Sequence, residues 1–114
     1  MTENSNLNGD FTVASGEAIT VTISAFGTPN RCVASLDGQP LTPRSSGNPY
    51  IFRFTLAGAL GNVHLFAAEC FFGDDAAADA KYTAVIAGSD GSSYTLDPAA
   101  TPDSSEFLLR FTIG

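Results

Sequence analysis

The sequence contains no tryptophan, a single histidine, two cysteines and only five basic residues. Because phosphate backbones are bound by clustered Lys and Arg, this scarcity of cations predicts no nucleic-acid partner. Charged residues make up 15% of the chain, against about 25% in an average globular protein. No apolar run approaches the roughly 18 residues of a membrane-spanning helix, so we expect no membrane insertion.

The chain is rich in hydrophobic residues and has more acidic than basic residues. Hydrophobic residues make up 44% of its 114 residues, nine of them Phe, and the formal net charge is −7. The apolar content excludes a disordered polyelectrolyte, and the length suits one hydrophobic core. The acidic excess fits either simple solubility or an attraction for a cation or a basic partner.

The first nine residues are polar, with neither a basic start nor an apolar stretch. The sequence therefore predicts a flexible polar leader over 1–9, followed by a single β-sandwich domain over 10–114. If Met1 is native, the protein stays in the cytoplasm. If the chain is a mature segment, an extracellular location is expected.

Alternation of apolar and polar residues dominates the pattern. Residues 18–26 read AITVTISAF, in which apolar side chains alternate with Thr and Ser, as in a half-buried strand. Seven to eight short strands separated by turn signals predict an all-β fold, an antiparallel β-sandwich, with a small barrel as the alternative. The predicted strands are Phe11–Ala14, Ala18–Phe26, Arg31–Leu36, Tyr50–Leu56, Asn62–Phe72, Lys81–Ala87, Tyr94–Leu96 and Glu106–Ile113.

Two of these strands are apolar on both faces. Asn62–Phe72 carries Glu69 as its only charge, which predicts a central strand covered on both sides. Phe107–Ile113 closes the chain. As an unprotected edge strand it would invite pairing with a second copy, so we predict a homo-oligomer formed through it.

Cys32 and Cys70 each share a strand face with apolar residues, so both are expected to point into the core. They could form a disulfide, or remain as two buried free thiols. Neither belongs to a CxxC motif or to a Cys/His cluster, so no zinc site is expected.

Two stretches resemble bacterial immunoglobulin-like extracellular modules. CVASLDGQPLTP, starting at Cys32, is similar to their "C-SLDG…TP" hairpin, and LGNVHLFAA, starting at Leu60, to the strand in which a short turn precedes a core His. Arg44 stands where those modules carry a second Cys. The resemblance covers about residues 31–70 and implies an immunoglobulin-like fold and a non-catalytic module that adheres, spaces or presents a surface.

A second resemblance is to small calcium-dependent bacterial lectins, which are β-sandwiches of similar length. It rests on Gly9–Thr12, Gly88–Gly91 and the final Gly114, and implies Ca²⁺-dependent sugar binding. The dense Asp/Asn run that defines the calcium site of that family is missing. The residues predicted to contact a ligand lie in the Gly/Ser-rich hairpin, and they are Asp90, Ser92, Ser93 and Tyr94.

Asp74, Asp75 and Asp79 lie within six positions of one another. Carboxylate oxygens suit hard cations, so these three residues are a candidate metal site for Ca²⁺. The alternative is that Asp occurs there because it favours turns and helix starts.

Catalysis would depend on two residues. His64 is the only candidate general base, and Glu69 the best candidate for a carboxylate with a raised pKa. A structural role is expected for both, with Glu69 paired to Arg53 or Arg110, so the chain is predicted not to be an enzyme. The predicted function is recognition, adhesion or assembly with a protein or glycan partner and no cofactor. A Ca²⁺-dependent carbohydrate-binding protein is the alternative, and a small hydrolase the third reading.

Overall fold

The computed structural model describes residues 1–4, 9–26, 29–47, 49–72, 81–96 and 106–114. These residues form strands and turns without a helix, and so none of them belongs to a helix that could cross a membrane. The strands are β1 (Thr2–Glu3), β2 (Asp10–Val13), β3 (Glu17–Phe26), β4 (Pro29–Leu36), β5 (Gln39–Leu41), β6 (Ser45–Ser46), β7 (Tyr50–Leu56), β8 (Val63–Phe72), β9 (Lys81–Gly88), β10 (Ser93–Leu96) and β11 (Glu106–Ile113).

The strands form two sheets. One has six strands in the order β1-β2-β11-β8-β4-β5, and the other has five in the order β10-β9-β3-β7-β6. The predicted all-β, sandwich-like arrangement is confirmed. One pair departs from the antiparallel expectation: β2 and β11 run parallel, with Phe11 opposite Phe111. These strands come from opposite ends of the chain, so no hairpin dictates their direction.

The core lies between the sheets and is built from alternate residues of each strand, because successive side chains of a strand point to opposite faces. Phe52, Phe66 and Phe111 are fully buried. The ring of Phe54 packs 5.3 Å from that of Phe66 and 5.8 Å from that of Phe111. The inward positions expected from the alternation are therefore the buried ones.

Cys32 of β4 and Cys70 of β8 face each other as a cross-strand pair and are joined as a disulfide. Of the two alternatives left open by the sequence, the structure has the bridged one. The bridge links neighbouring strands within the six-stranded sheet, so it does not tie the two sheets together.

The Asp37-Gly38 turn connects β4 to β5. Both residues have positive φ, 52° and 82°, which is the conformation that a tight two-residue hairpin requires. Asp and Gly tolerate it better than other residues do. The predicted hairpin is confirmed, although its second strand, β5, is too short to show in the alternation.

The first residues differ from the expected leader. Thr2 and Glu3 pair with Thr12 and Phe11 of β2, and Met1 is buried at 7% exposure. This part of the predicted leader is therefore an edge strand packed on the core. Residues 5–8 lie outside the described residues.

Strand β11 is not an edge strand, which corrects the expected route to a homo-oligomer. It lies between β2 and β8 and pairs with both, because the N-terminal strands occupy the side that the sequence left open. The strands at the sheet edges are the short ones, β1 and β5 in one sheet and β10 and β6 in the other.

Candidate functional site

The turn between β9 and β10 holds the predicted ligand-binding residues. Asp90 accepts hydrogen bonds from the backbone N–H of Ser92, at 2.9 Å, and from its hydroxyl. Ser93 is exposed. Tyr94 is half-buried, and its ring lies 5.4 Å from that of Phe11. Among the tyrosines, Tyr94 is the one that the Gly/Ser-rich sequence around it indicates as exposed, but β2 lies against its ring and leaves it half-buried.

The same turn receives the amino group of Met1. This nitrogen lies 3.2 Å from Oε2 of the buried Glu17 and also contacts the Asp90 carboxylate. Hydrogen bonds from this ammonium and from Ser92 hold the pKa of Asp90 well below its usual range. A Cβ on Gly88 would lie 2.9 Å from Asp90 Oδ1 and closer still to Glu17 Oε2. The amino group of Met1 thus occupies the space between the carboxylates of Glu17 and Asp90.

The predicted metal ligands Asp74, Asp75 and Asp79 lie outside the described residues. Within the described ranges, no group of three or more His, Cys, Asp or Glu side chains could hold a metal ion.

His64, the candidate general base, has acceptors at both ring nitrogens. Nδ1 lies 2.7 Å from Asp37 Oδ2, and Nε2 lies 3.0 Å from the carbonyl oxygen of Ala57. Asp37 also accepts a hydrogen bond from the backbone N–H of Leu65 at 2.8 Å. Burial alone would raise the pKa of Asp37, but the hydrogen bonds from His64 and Leu65 lower it. His64 therefore ties the start of β8 to the β4–β5 turn.

The outward surface of the six-stranded sheet is the most apolar exposed surface among the described residues. We call it the outer face. It consists of the side chains of β4, β8 and β11 that point away from the core. Val33, Val63, Leu65 and Leu108 are 43%, 42%, 50% and 67% exposed. Strand β8 was expected to be covered on both sides, but its outward side is not covered by any part of the chain that the structure describes.

The outer face is hollow at its centre. Ala67 of β8 is the small residue at the bottom, with Ser35 of β4 opposite it on one side and Leu108 of β11 on the other. Val33 and Pro40 complete the wall on the β4 side. The result is an open groove of about 440 Å³, which we call the central groove.

Two carboxylates border one end of the central groove. Glu69 and Glu106 are directly opposite each other on β8 and β11. Partial burial, the negative charge of Glu106 and a hydrogen bond with it all raise the pKa of Glu69, whereas the nearby charge of Arg31 opposes the rise. Glu69 was expected to pair with Arg53 or Arg110. Its cross-strand neighbours are instead Glu106 and Val33.

Two arginines, Arg31 and Arg110, lie on the outer face at opposite sides of the groove and the carboxylate pair. The Arg31 guanidinium sits 4.6 Å above the ring of Phe71, the next outward residue of β8 after Glu69. Arg110 is exposed further along β11, past Leu108, between Leu65 of β8 and Asp10 of β2. Along β11 the outward side chains therefore change from acidic to aliphatic to basic.

Sequence reasoning missed the outer face, although its signal was present. The two strands with apolar residues on both faces, β8 and β11, are the neighbours that form it. Strands with apolar residues on both faces are normally buried on both sides. Here the aliphatic residues on one side of both strands are exposed and form a contiguous apolar patch, a feature that is typical of interaction surfaces.

Comparison of the chain with protein-family models, with curated proteins and with solved structures found no match.

Proposed function

We propose that this chain is a non-catalytic recognition module of immunoglobulin-like type, and that it binds a polypeptide partner on the outer face. The observation that carries the proposal is the central groove, an apolar depression with a carboxylate pair at one end, on a sheet face that no other described part of the chain covers.

The strand order supports the immunoglobulin-like type. Immunoglobulin sandwiches place their strands C, F and G in one sheet and B, E and D in the other. Here β4, β8 and β11 are adjacent in one sheet, and β3, β7 and β6 in the other, with the same order along the chain. The chain departs from that plan in two ways: the β9–β10 hairpin lies beside β3, and the disulfide stays within one sheet.

The chemistry of the outer face defines what the partner must present. The aliphatic residues Val33, Leu65 and Leu108 gain by removal from water, at about 25 cal/mol per Å² of apolar surface. Glu69 and Glu106 repel each other, and a cation placed between them removes that repulsion. The partner therefore combines an aliphatic side chain with a Lys or Arg close to it.

Two other functions fit the observations less well. Sugars are bound by stacking on open aromatic rings, but the outer face is aliphatic at its centre, and Tyr94 packs against Phe11. Glycoside hydrolysis needs two carboxylates separated by the reacting sugar or by a water. Glu69 and Glu106 are instead directly opposite each other on neighbouring strands, without a cleft between them.

A displayed library of random peptides tests the proposal. The library is selected on the wild-type protein, and the recovered peptides are then measured against two double variants. Leu65→Ser/Leu108→Ser removes two aliphatic side chains from the outer face. Ile51→Ser/Val85→Ser is the matched control, because these residues flank Thr22 on the outward side of the other sheet.

We expect peptides that combine aliphatic and basic residues, and we expect their binding to be lost in the first variant and kept in the control. Recovery of no binders, or of binders that tolerate the outer-face variant, would contradict the proposed function.

A further inference from the structure

We infer that the partner of the outer face is a second copy of this chain, joined face to face about a twofold axis. The inference rests on the proposed function, because it names the partner of the same surface. A twofold interface uses one patch on both subunits, so that patch must be complementary to itself. The outward row of β11 meets this requirement in charge.

The charges on β11 become complementary when the strand is reversed. Its outward residues Glu106, Leu108 and Arg110 are all exposed and follow one another at alternate positions. The twofold axis lies in the plane between the two faces, perpendicular to the strands and at the level of Leu108. Rotation about this axis reverses the strand direction in the second copy. Arg110 then faces Glu106 of the second copy, and the converse contact forms on the other side of the axis.

The carboxylate pair strengthens this match. Glu69 lies next to Glu106, so Arg110 of one copy meets two carboxylates of the other. A guanidinium carries several donors in a planar fork and suits such a contact. The negative charge of Glu106 raises the pKa of Glu69 and the charge of Arg31 opposes that rise, so a further cation supplied by the second copy would favour the ionised form of Glu69.

Leu108 gives the arrangement an apolar contact at its centre. It projects from the face at 67% exposure, and the central groove over Ala67 lies directly beside it. In the face-to-face arrangement the two copies of Leu108 meet at the axis, and the two grooves lie opposite each other beside them.

The outer face alone is smaller than a typical dimer interface. Its three strands at about 4.8 Å spacing, with a 10-residue β8 at about 3.3 Å per residue, cover roughly 15 by 30 Å, or about 450 Å². Stable interfaces bury about 800 Å² on each partner, so the dimer must also cover the neighbouring strands β2 and β5 of the same sheet. Pairing through the sheet edges is less favourable, because β1, β5, β6 and β10 have four residues or fewer.

Charge reversal tests the arrangement. Arg110→Glu places Glu at both ends of the outward row of β11, and Glu106→Arg places Arg at both ends. Each variant alone should therefore repel its own copy. When the two variants are mixed, every Glu faces an Arg. Arg53→Glu is the matched control, because Arg53 is exposed on the outward side of the five-stranded sheet.

Sedimentation equilibrium is the measurement. We expect the wild type and the control to dimerise, each single variant to associate at least about 30-fold more weakly, and the equimolar mixture to recover dimers. Recovery in the mixture shows that both variants are folded. Wild-type protein that stays monomeric, or single variants that dimerise like the wild type, would overturn the inference. If peptides still bind the central groove of a monomeric protein, only the dimer falls and the proposed function stands.

Discussion

Glu69 and Glu106 occupy directly opposed positions on β8 and β11 at the edge of an open apolar groove. Two carboxylates in such a position repel each other when both are ionised, so one of them holds its proton to higher pH.

The pKa of Glu69 should respond to its neighbour. In the Leu108→Ser background, which keeps the outer face unpaired, we expect an NMR titration to give Glu69 a pKa above the ordinary value of 4.5. Glu106→Gln removes the negative charge opposite Glu69, so the pKa should fall. An unchanged pKa in the Glu106→Gln variant would show that the two carboxylates do not interact.

The same pair should make the monomer less stable at neutral pH. A pKa that is higher in the folded state means that folding favours protonated Glu69. The repulsion therefore lowers the free energy of unfolding by its full amount above the pKa of the folded state, and by nothing below the pKa of the unfolded state. In the same background, Glu106→Gln should therefore raise the melting temperature at pH 7 and leave it unchanged near pH 3. A gain that is equal at both pH values would point to a different cause.

The Asp37–His64 contact should stabilise the protein only while Asp37 is ionised. Because the pKa of Asp37 is lowered on folding, its contribution is present above the unfolded pKa and is lost as the pH falls through the folded one. We expect Asp37→Asn, which suits the positive φ of this turn, to destabilise by about 0.5 kcal/mol at pH 6, because the contact is partly exposed. Urea unfolding at pH 6 and below pH 3 measures it. A difference that persists at the lower pH would refute the ionic origin.

The disulfide should supply much of the free energy of unfolding. Cys32 and Cys70 are 38 positions apart, and closing a loop of that length restricts the unfolded chain by about 4 kcal/mol in the chain-entropy model. Guanidinium unfolding of the wild type and of Cys32→Ala/Cys70→Ala measures the loss. A difference below about 1 kcal/mol would mean that the bridge does not act through the unfolded state.

Gly88 should be required by the carboxylates around it. A methyl group there would approach Glu17, Asp90 and Ser92 too closely, so Gly88→Ala should destabilise by about 1–3 kcal/mol through overpacking. Gly47→Ala is the control, because its Cβ would meet nothing within 4 Å. Equal thermal unfolding of the two variants would contradict the described packing around Gly88.

Most of the fold was predictable because burial on one side leaves a period-two pattern. The alternation in β3, β7 and β9 identified the buried Val21, Phe52 and Ile86. Strand β1 was missed because two polar residues, Thr2 and Glu3, carry no alternation and pair only through their backbone. The parallel β2–β11 pair depends on contacts between the two ends of the chain, which local patterns do not encode.

The proposed binding surface was harder to predict, for a physical reason. Leu65 and Leu108 look like core residues, because a sequence pattern records that a side chain avoids water without saying what covers it. Tyr94 showed the converse problem: its Gly/Ser-rich surroundings indicated exposure, but β2 packs against its ring.

The most direct test of the account is a dilution series of two-dimensional amide NMR spectra of the wild-type protein. If the outer face is the contact surface, the amide shifts of Leu65, Ala67 and Leu108 will change with concentration, and those of Thr22 and Val85 on the other sheet will not. Shifts confined to the five-stranded sheet, or spectra that do not change with concentration while peptides also fail to perturb the central groove, would contradict it.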